Sequence, residues 1–354
     1  MKIKTILGIL KEFRYLQSIL KHYSDSLVAG KYYLHDNFHT MALKDPEVME
    51  KVQQNFRKST TNSRVKSLIH AFNKIGFFFN RNRDSVGEYD AFYIANNYDE
   101  IRELKLFSFK NNRMLTVCTS QSSMEEQLHL YERLSNSYNM PAVKKYDRYT
   151  NALEVSMVQW RPFPGDEHAL YAIVQSVMRF RIANKKLHSC SGKDLIAFSY
   201  NNGEMNELLG SLVKKIDKNI LDLQIPLCLQ HGDLSKENLI YGEAEGKCAF
   251  WWIDWEHVGE RVFFYDFFFY IINAAYYGDK TAYECYMGEK CNVILEEFFE
   301  LFGLIFDKAK KRDYFLLFTV VFFKERLCEK GELQGLKAYI DFLDGEERNS
   351  VGED

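Results

Sequence analysis

Residues 229–256 constrain the fold of this chain more than any other stretch. They run Leu229-Gln230-His231-Gly232-Asp233-Leu234-Ser235-Lys236-Glu237-Asn238-Leu239-Ile240 and, after a short turn, Ala249-Phe250-Trp251-Trp252-Ile253-Asp254-Trp255-Glu256. A polar H-x-D-x-x-x-x-N loop is followed by an apolar, strand-like run that ends on a carboxylate. This strand-and-loop island, 227–256, interrupts a second half that is otherwise helical. Residues 169–186, 193–198, 204–221, 293–306 and 314–329 all carry apolar positions at 3.6-residue spacing.

The first half has a different pattern. Residues 2–24 place Ile3, Ile6, Leu7, Leu10, Phe13 and Leu20 at helical spacing, with Lys2, Lys4, Lys11, Arg14 and Lys21 on the polar side. Another apolar stretch, 65–79, precedes the turn-like 80–89. Residues 91–95, 103–109 and 114–119 are rich in aromatic and branched side chains, and the asparagines between them are turn chemistry, so an antiparallel sheet is expected. A helix over 122–138 follows, capped by Ser122 or Ser123 and stopped by Pro141. Two more strands, 143–146 and 153–159, precede the break at 162–165. The expected fold is α+β in two lobes. A helical N-terminal extension (1–75) leads into a small antiparallel-sheet N-lobe with one helix (76–160), and a larger helical C-lobe (161–354) completes the chain.

Composition narrows the class. A chain of 354 residues is long enough for two domains or one two-lobed enzyme. Lys plus Arg number 46 and Asp plus Glu 49, a formal charge of −3, which argues against a surface built for nucleic acid. Seven scattered cysteines with no C-x-x-C pair read as reduced thiols of a cytoplasmic protein. The apolar stretch 6–10 is too short for a signal-peptide core. The longest apolar runs, 262–277 and 314–323, are interrupted by Asp266 or fall short of the roughly 20 residues a membrane span needs.

The island carries phosphoryl-transfer chemistry. In protein kinases a loop Asp accepts the substrate hydroxyl proton, while an Asn a few residues on and a second, strand-borne Asp hold Mg²⁺. Hard oxygen ligands suit that ion. HGDLSKENLIY together with IDWE resembles the motif pair of the aminoglycoside phosphotransferase and choline kinase-like family, a branch of the protein-kinase-like fold. Gly232 in place of the protein kinases' Arg, and Asp266 in YDFFFYI, point to that branch. The resemblance implies Asp233 as the base or hydroxyl-orienting group, Asn238 and Asp254 as Mg²⁺ ligands, and His231 as a scaffold residue of the catalytic loop. Lys236, three residues past Asp233, is placed where an ammonium can meet the γ-phosphate. Glu256 and Asp266 read as positioning residues. The look of KLFSFKNN and HGDLSKENLI is also similar to kinase-like proteins associated with bacterial surface-polysaccharide assembly.

A kinase-like small lobe supplies a strand Lys for the nucleotide phosphates and a helix Glu that orients it. Two registers compete. If 91–95 and 103–109 are the second and third strands, Lys105 is that Lys, Glu126 or Glu125 its partner, and Gly87 lies in the nucleotide-covering loop. If instead 103–109 and 114–119 form the hairpin before the helix, the Lys position is Thr or Cys. The first is preferred, because alternation puts Lys105 on one face with Phe107 and Phe109. No Gly-x-Gly-x-x-Gly loop occurs. Met157, Val158 and Gln159 are the hinge candidates for adenine.

The leading expectation is an ATP- and Mg²⁺-dependent kinase acting on a hydroxyl of a small molecule or carbohydrate. A catalytically silent pseudokinase and a membrane-surface scaffold are the alternatives. The basic N-terminal helix either packs on the body of the protein, the preferred reading, or lies on anionic lipid at the inner face of the membrane. Trp251, Trp252 and Trp255 are candidates to stack on a sugar or quaternary ammonium, with core packing the commoner fate.

Overall fold

The computed structural model describes residues 3–35, 39–55, 67, 69–71, 73–74, 78–80, 87–97, 100–197, 203–326, 336–337 and 340. The turn-like 80–89 and the end of the helix expected over 314–329 fall partly outside them. Two compact units divide the chain. Unit 1 is Met1–Arg133 with Pro141–Pro162 and Gly242–Ala249, and unit 2 is Leu134–Met140 with Phe163–Tyr241 and Phe250–Asp354.

Unit 1 runs α1 (Ile3–His22), β1 (Gly30–Leu34), β2 (Thr40–Leu43), α2 (Pro46–Asn55), β3 (Phe79–Asn80), β4 (Ala91–Asn97), β5 (Glu100–Ser108), β6 (Arg113–Cys118), α3 (Gln121–Leu134), β7 (Val143–Asp147), β8 (Ala152–Ser156) and β9 (Gln159–Trp160). Eight strands form an antiparallel sheet in the order β3-β1-β2-β4-β5-β6-β8-β7. Phe13, Leu16, Ile19 and Leu20 of α1 are buried with Tyr32, Phe92, Ile94, Leu104 and Leu106. The alternate positions face the other way. Phe107 packs with Val48 and Val52 of α2, and Cys118, Leu153 and Val155 pack with Met124 of α3.

The helical extension expected over 1–75 is interrupted by strands. Between α1 and α2 stand β1 and β2, which extend the sheet. Tyr32, Tyr33, Leu34, Met41 and Ala42 are buried in succession, and a strand covered on both faces shows no period-2 signal to read.

Unit 2 runs α4 (Asp166–Ala183), β10 (Ser189–Ser191), α5 (Gly192–Leu195), α6 (Gly203–Lys215), α7 (Lys218–Leu221), β11 (Gln224–Gln230), the start of β12 (Leu239–Ala244) and the end of β13 (Lys247–Trp252), whose residues 242–249 belong to unit 1, then β14 (Gly259–Val262), α8 (Tyr265–Tyr276), α9 (Thr281–Met287), α10 (Asn292–Leu301) and α11 (Lys311–Arg326). β10, β11 and β14 make a small antiparallel sheet. α8 is buried almost all round. Phe263 stacks on Phe302 at 4.3 Å, and Phe268 meets Tyr286, Phe315 and Phe318 edge-on or tilted within 5.6 Å. The apolar run 262–277 is thus an aromatic core. Among the described residues no helix is long and apolar enough to cross a membrane.

Candidate active site

The loop after β11 is pinned by one buried carboxylate. Asp266, in the first turn of α8 and 0% exposed, accepts from the backbone N–H of His231 at 2.7 Å and of Gly232 at 2.9 Å. Gln230 returns the contact, its Oε1 accepting from the Asp266 N–H at 3.1 Å. Burial pushes the Asp266 carboxyl up, against the lowering effect of His231 and the two N–H groups. Gly232 sits at φ +84°, and any Cβ there would overlap the His257 carbonyl oxygen. An Arg at this place, as in the protein kinases, is sterically barred.

His231 is held through both ring nitrogens. Its ring is fully buried, its Nε2 lies 2.8 Å from the Ile253 carbonyl, and its Nδ1 accepts from the Asp233 N–H at 3.3 Å. Nε2 therefore carries the proton. Burial lowers the imidazole pKa, which keeps the ring neutral as this bonding requires. The ring ties the loop to the end of β13, next to Asp254.

Asp233, Asn238 and Asp254 converge by backbone bonding. The Asn238 Nδ2 donates to the Asp233 carbonyl at 2.8 Å and reaches its Oδ2 at 3.4 Å. The Ile253 N–H donates to the Asn238 carbonyl at 3.1 Å, which sets Asp254 beside Asn238. Asp254 has φ +65°, a left-handed conformation that costs a non-glycine residue of order 1–3 kcal/mol and concentrates at functional sites. With its NH₂ turned to Asp233, Asn238 offers Oδ1. One amide oxygen and one carboxylate make an all-oxygen pair that fits Mg²⁺, which keeps several waters and takes other ligands from phosphates. Among the described residues no group of three or more His, Cys, Asp or Glu could hold a metal.

Lys236 is committed elsewhere. Its ammonium lies 2.8 Å from Asp166 Oδ1 and 2.8 Å from Asp279 Oδ2. It also stands 5.3 Å above the Phe163 ring and 5.9 Å from that of Tyr270. The charge expected to meet the γ-phosphate is already balanced by two carboxylates. Asp166 and Asp279 are far away in sequence, so the loop spacing carried no sign of them.

In unit 1 the strand immediately before α3 is β6, paired to β5 with Lys105 opposite Thr116 and Glu103 opposite Cys118. β5 pairs with β4 on one side and with β6 on the other, so both pairings left open by the sequence are present, and the strand directly before the helix carries Thr116 and Cys118. Lys105 sits one strand over, on the same face. Its partner is also different. Lys105 Nζ is 3.6 Å from Glu103, and Gln127 of α3 donates to that same Glu103 carboxylate. Glu126 is exposed. Glu125 meets Arg148 at 3.7 Å. Burial and the Glu103 charge push the Cys118 thiol up to about 12. Gly87 packs against the Leu27 backbone, where a Cβ would collide. At the hinge, the Met157 N–H donates to Asn112 at 2.8 Å, Val158 is buried, and Gln159 pairs with Glu243 of β12.

The three tryptophans are buried. Trp252 and Trp255 meet Tyr138 edge-on at 5.8 and 5.0 Å, so they do not present faces to a sugar. Missed by sequence reasoning were Asp166, Asp279, Glu103 and Gln127. Only Asp166, acidic in the first turn of a helix after a Pro-Gly break, left any local signal.

No protein-family model and no curated protein matches the chain. Solved structures do. A choline/ethanolamine kinase family protein from Mesorhizobium loti matches at 12% identity over 73% of this chain and 87% of that one, TM-score 0.42. A choline kinase from Streptococcus pneumoniae matches at 14% identity over 72% and 92%, TM-score 0.39. The GDP complex of an aminoglycoside 2'-phosphotransferase matches at 11% over 82% and 100%, TM-score 0.42.

Proposed function

We propose that this chain is an ATP- and Mg²⁺-dependent phosphotransferase acting on a hydroxyl of a small molecule or carbohydrate. The observation that carries the reading is the backbone lock that gathers Asp233, Asn238 and Asp254, with Asp254 held at positive φ. Asp233 accepts the proton of the acceptor hydroxyl and orients its oxygen for attack. Asn238 and Asp254 would hold Mg²⁺, which when bound would supply positive charge for the phosphoryl group. His231 and Asp266 hold the loop in place. Lys105, carried on β5, contacts the nucleotide phosphates, and Met157–Gln159 line the adenine. ATP use and unpaired thiols favour a cytoplasmic setting.

Screening ATP consumption against sugars, amino alcohols and aminoglycosides tests the reading. Turnover with one class is expected. Asp233→Asn should abolish it while calorimetry still detects MgATP binding, because shape is kept and the carboxylate is removed. Full turnover by that variant would overturn the assignment. One observation favours a second reading, a nucleotide-binding pseudokinase: the strand before α3 has Thr116 and Cys118 where a Lys is usual. Binding of MgATP without turnover on any acceptor would establish that reading instead.

A further inference from the structure

The surroundings of Lys236 have the form of a cation-binding cage. Two carboxylates, Asp166 and Asp279, contact the ammonium at 2.8 Å each. Two aromatic rings, Phe163 and Tyr270, lie within 6 Å of it, the range at which a ring face attracts a cation. The Tyr270 hydroxyl donates to Asp166 at 2.7 Å and fixes one wall. Asp166 is buried, so its charge needs a permanent partner. The Lys236 hydrogen bond is the first cause that holds the Asp279 carboxyl down, at about 2. An amino alcohol or an aminoglycoside would look for this combination of carboxylates and rings, but here the chain fills it from its own catalytic loop, three residues after Asp233.

We propose that Lys236 is a tethered cation that occupies this cage, so that the acceptor at this site is an uncharged hydroxyl compound, a sugar or polyol, and not a cationic amine. The proposal rests on the phosphotransferase reading for its acceptor class. A tethered group competes at an effective concentration in the millimolar range, so a free ammonium of ordinary affinity is displaced. The nearby aromatic surface suits an uncharged ring: Phe163 is 40% exposed, and Tyr276 and Tyr277, at the end of α8 just before Asp279, are 61% and 73% exposed. Such flat faces pack on the C–H surface of a sugar and offer hydroxyls to its rim.

The cage can be tested apart from catalysis. Wild type, Lys236→Ala and Lys236→Ala/Asp166→Asn are titrated with ethylammonium and tetramethylammonium chloride, with sodium chloride at equal ionic strength as control, and the thermal midpoint and tyrosine ring resonances are followed. A saturable, ammonium-specific rise in midpoint in Lys236→Ala alone is expected, because the small cation replaces the missing ammonium. No such effect in Lys236→Ala overturns the cage. The acceptor screen needs no variant. Turnover of sugars or polyols by wild type, with amino alcohols and aminoglycosides inert, is the expected result, and turnover of a cationic acceptor overturns the exclusion. Turnover of nothing would sink the phosphotransferase reading, and the ammonium titration would still decide the cage.

Discussion

Asp266 shows how much one side chain carries at this site. It satisfies two buried backbone donors of the loop after β11 at once. Asp266→Ala leaves both N–H groups without a partner, at about 1–3 kcal/mol each. A lowered thermal midpoint together with lost turnover is expected, and a variant with both unchanged would show that the loop holds itself. Asp90 governs a pH effect instead. Burial raises its carboxyl pKa to about 6, against the lowering pull of the Phe109 N–H it accepts from at 3.2 Å. The native state thus binds this proton more tightly than the unfolded chain, whose carboxyl titrates near 3.9, and stability falls as pH rises from about 4 through about 6. The midpoint should rise on moving from neutral pH to about 5 in the wild type, by an increment that Asp90→Asn lacks. Equal pH profiles for the two proteins would remove the assignment.

At the scale of the element, the β5–β6 hairpin sets which side chains share a face with Lys105. Opposite residues of an antiparallel pair share a face, so Lys105 on β5 stands beside Thr116 on β6. Gln127 of α3 fastens Glu103, and Glu103 faces Lys105. Lys105→Ala removes a charge-assisted contact worth about 1.5–3 kcal/mol, so MgATP affinity or rate should drop roughly ten- to hundred-fold. The double variant Lys105→Ala/Thr116→Lys moves the ammonium across the pair and should recover part of the loss. Unchanged calorimetry for Lys105→Ala would make the residue a strand lysine with no phosphate role. The register was open in the sequence because 103–109 and 114–119 are both plausible strands. In the fold β5 pairs with both of its neighbours, β4 and β6.

For the whole molecule, the largest departure from the sequence pattern lies in the first 55 residues. α1 is part of the core of unit 1, with Leu16 0% exposed among strand residues. Leu16→Ala should cost about 2–5 kcal/mol of stability by opening a cavity. Urea unfolding would measure it, and a loss below ~1 kcal/mol would mean that the helix is dispensable. Anionic vesicles should not restore the variant, since the same apolar face cannot lie on lipid and in the core. By itself the sequence determined the helical body and the antiparallel sheet, and its loop spacing singled out Asp233, Asn238 and Asp254, because periodicity and loop spacing are local properties of the chain. Tertiary structure alone decided the rest. Lys236 found Asp166 and Asp279, Asp266 found the loop amides, and three tryptophans went to the core. These pairings join segments tens of residues apart, and a buried charge or ring settles wherever the folded chain brings a partner that offsets its lost hydration.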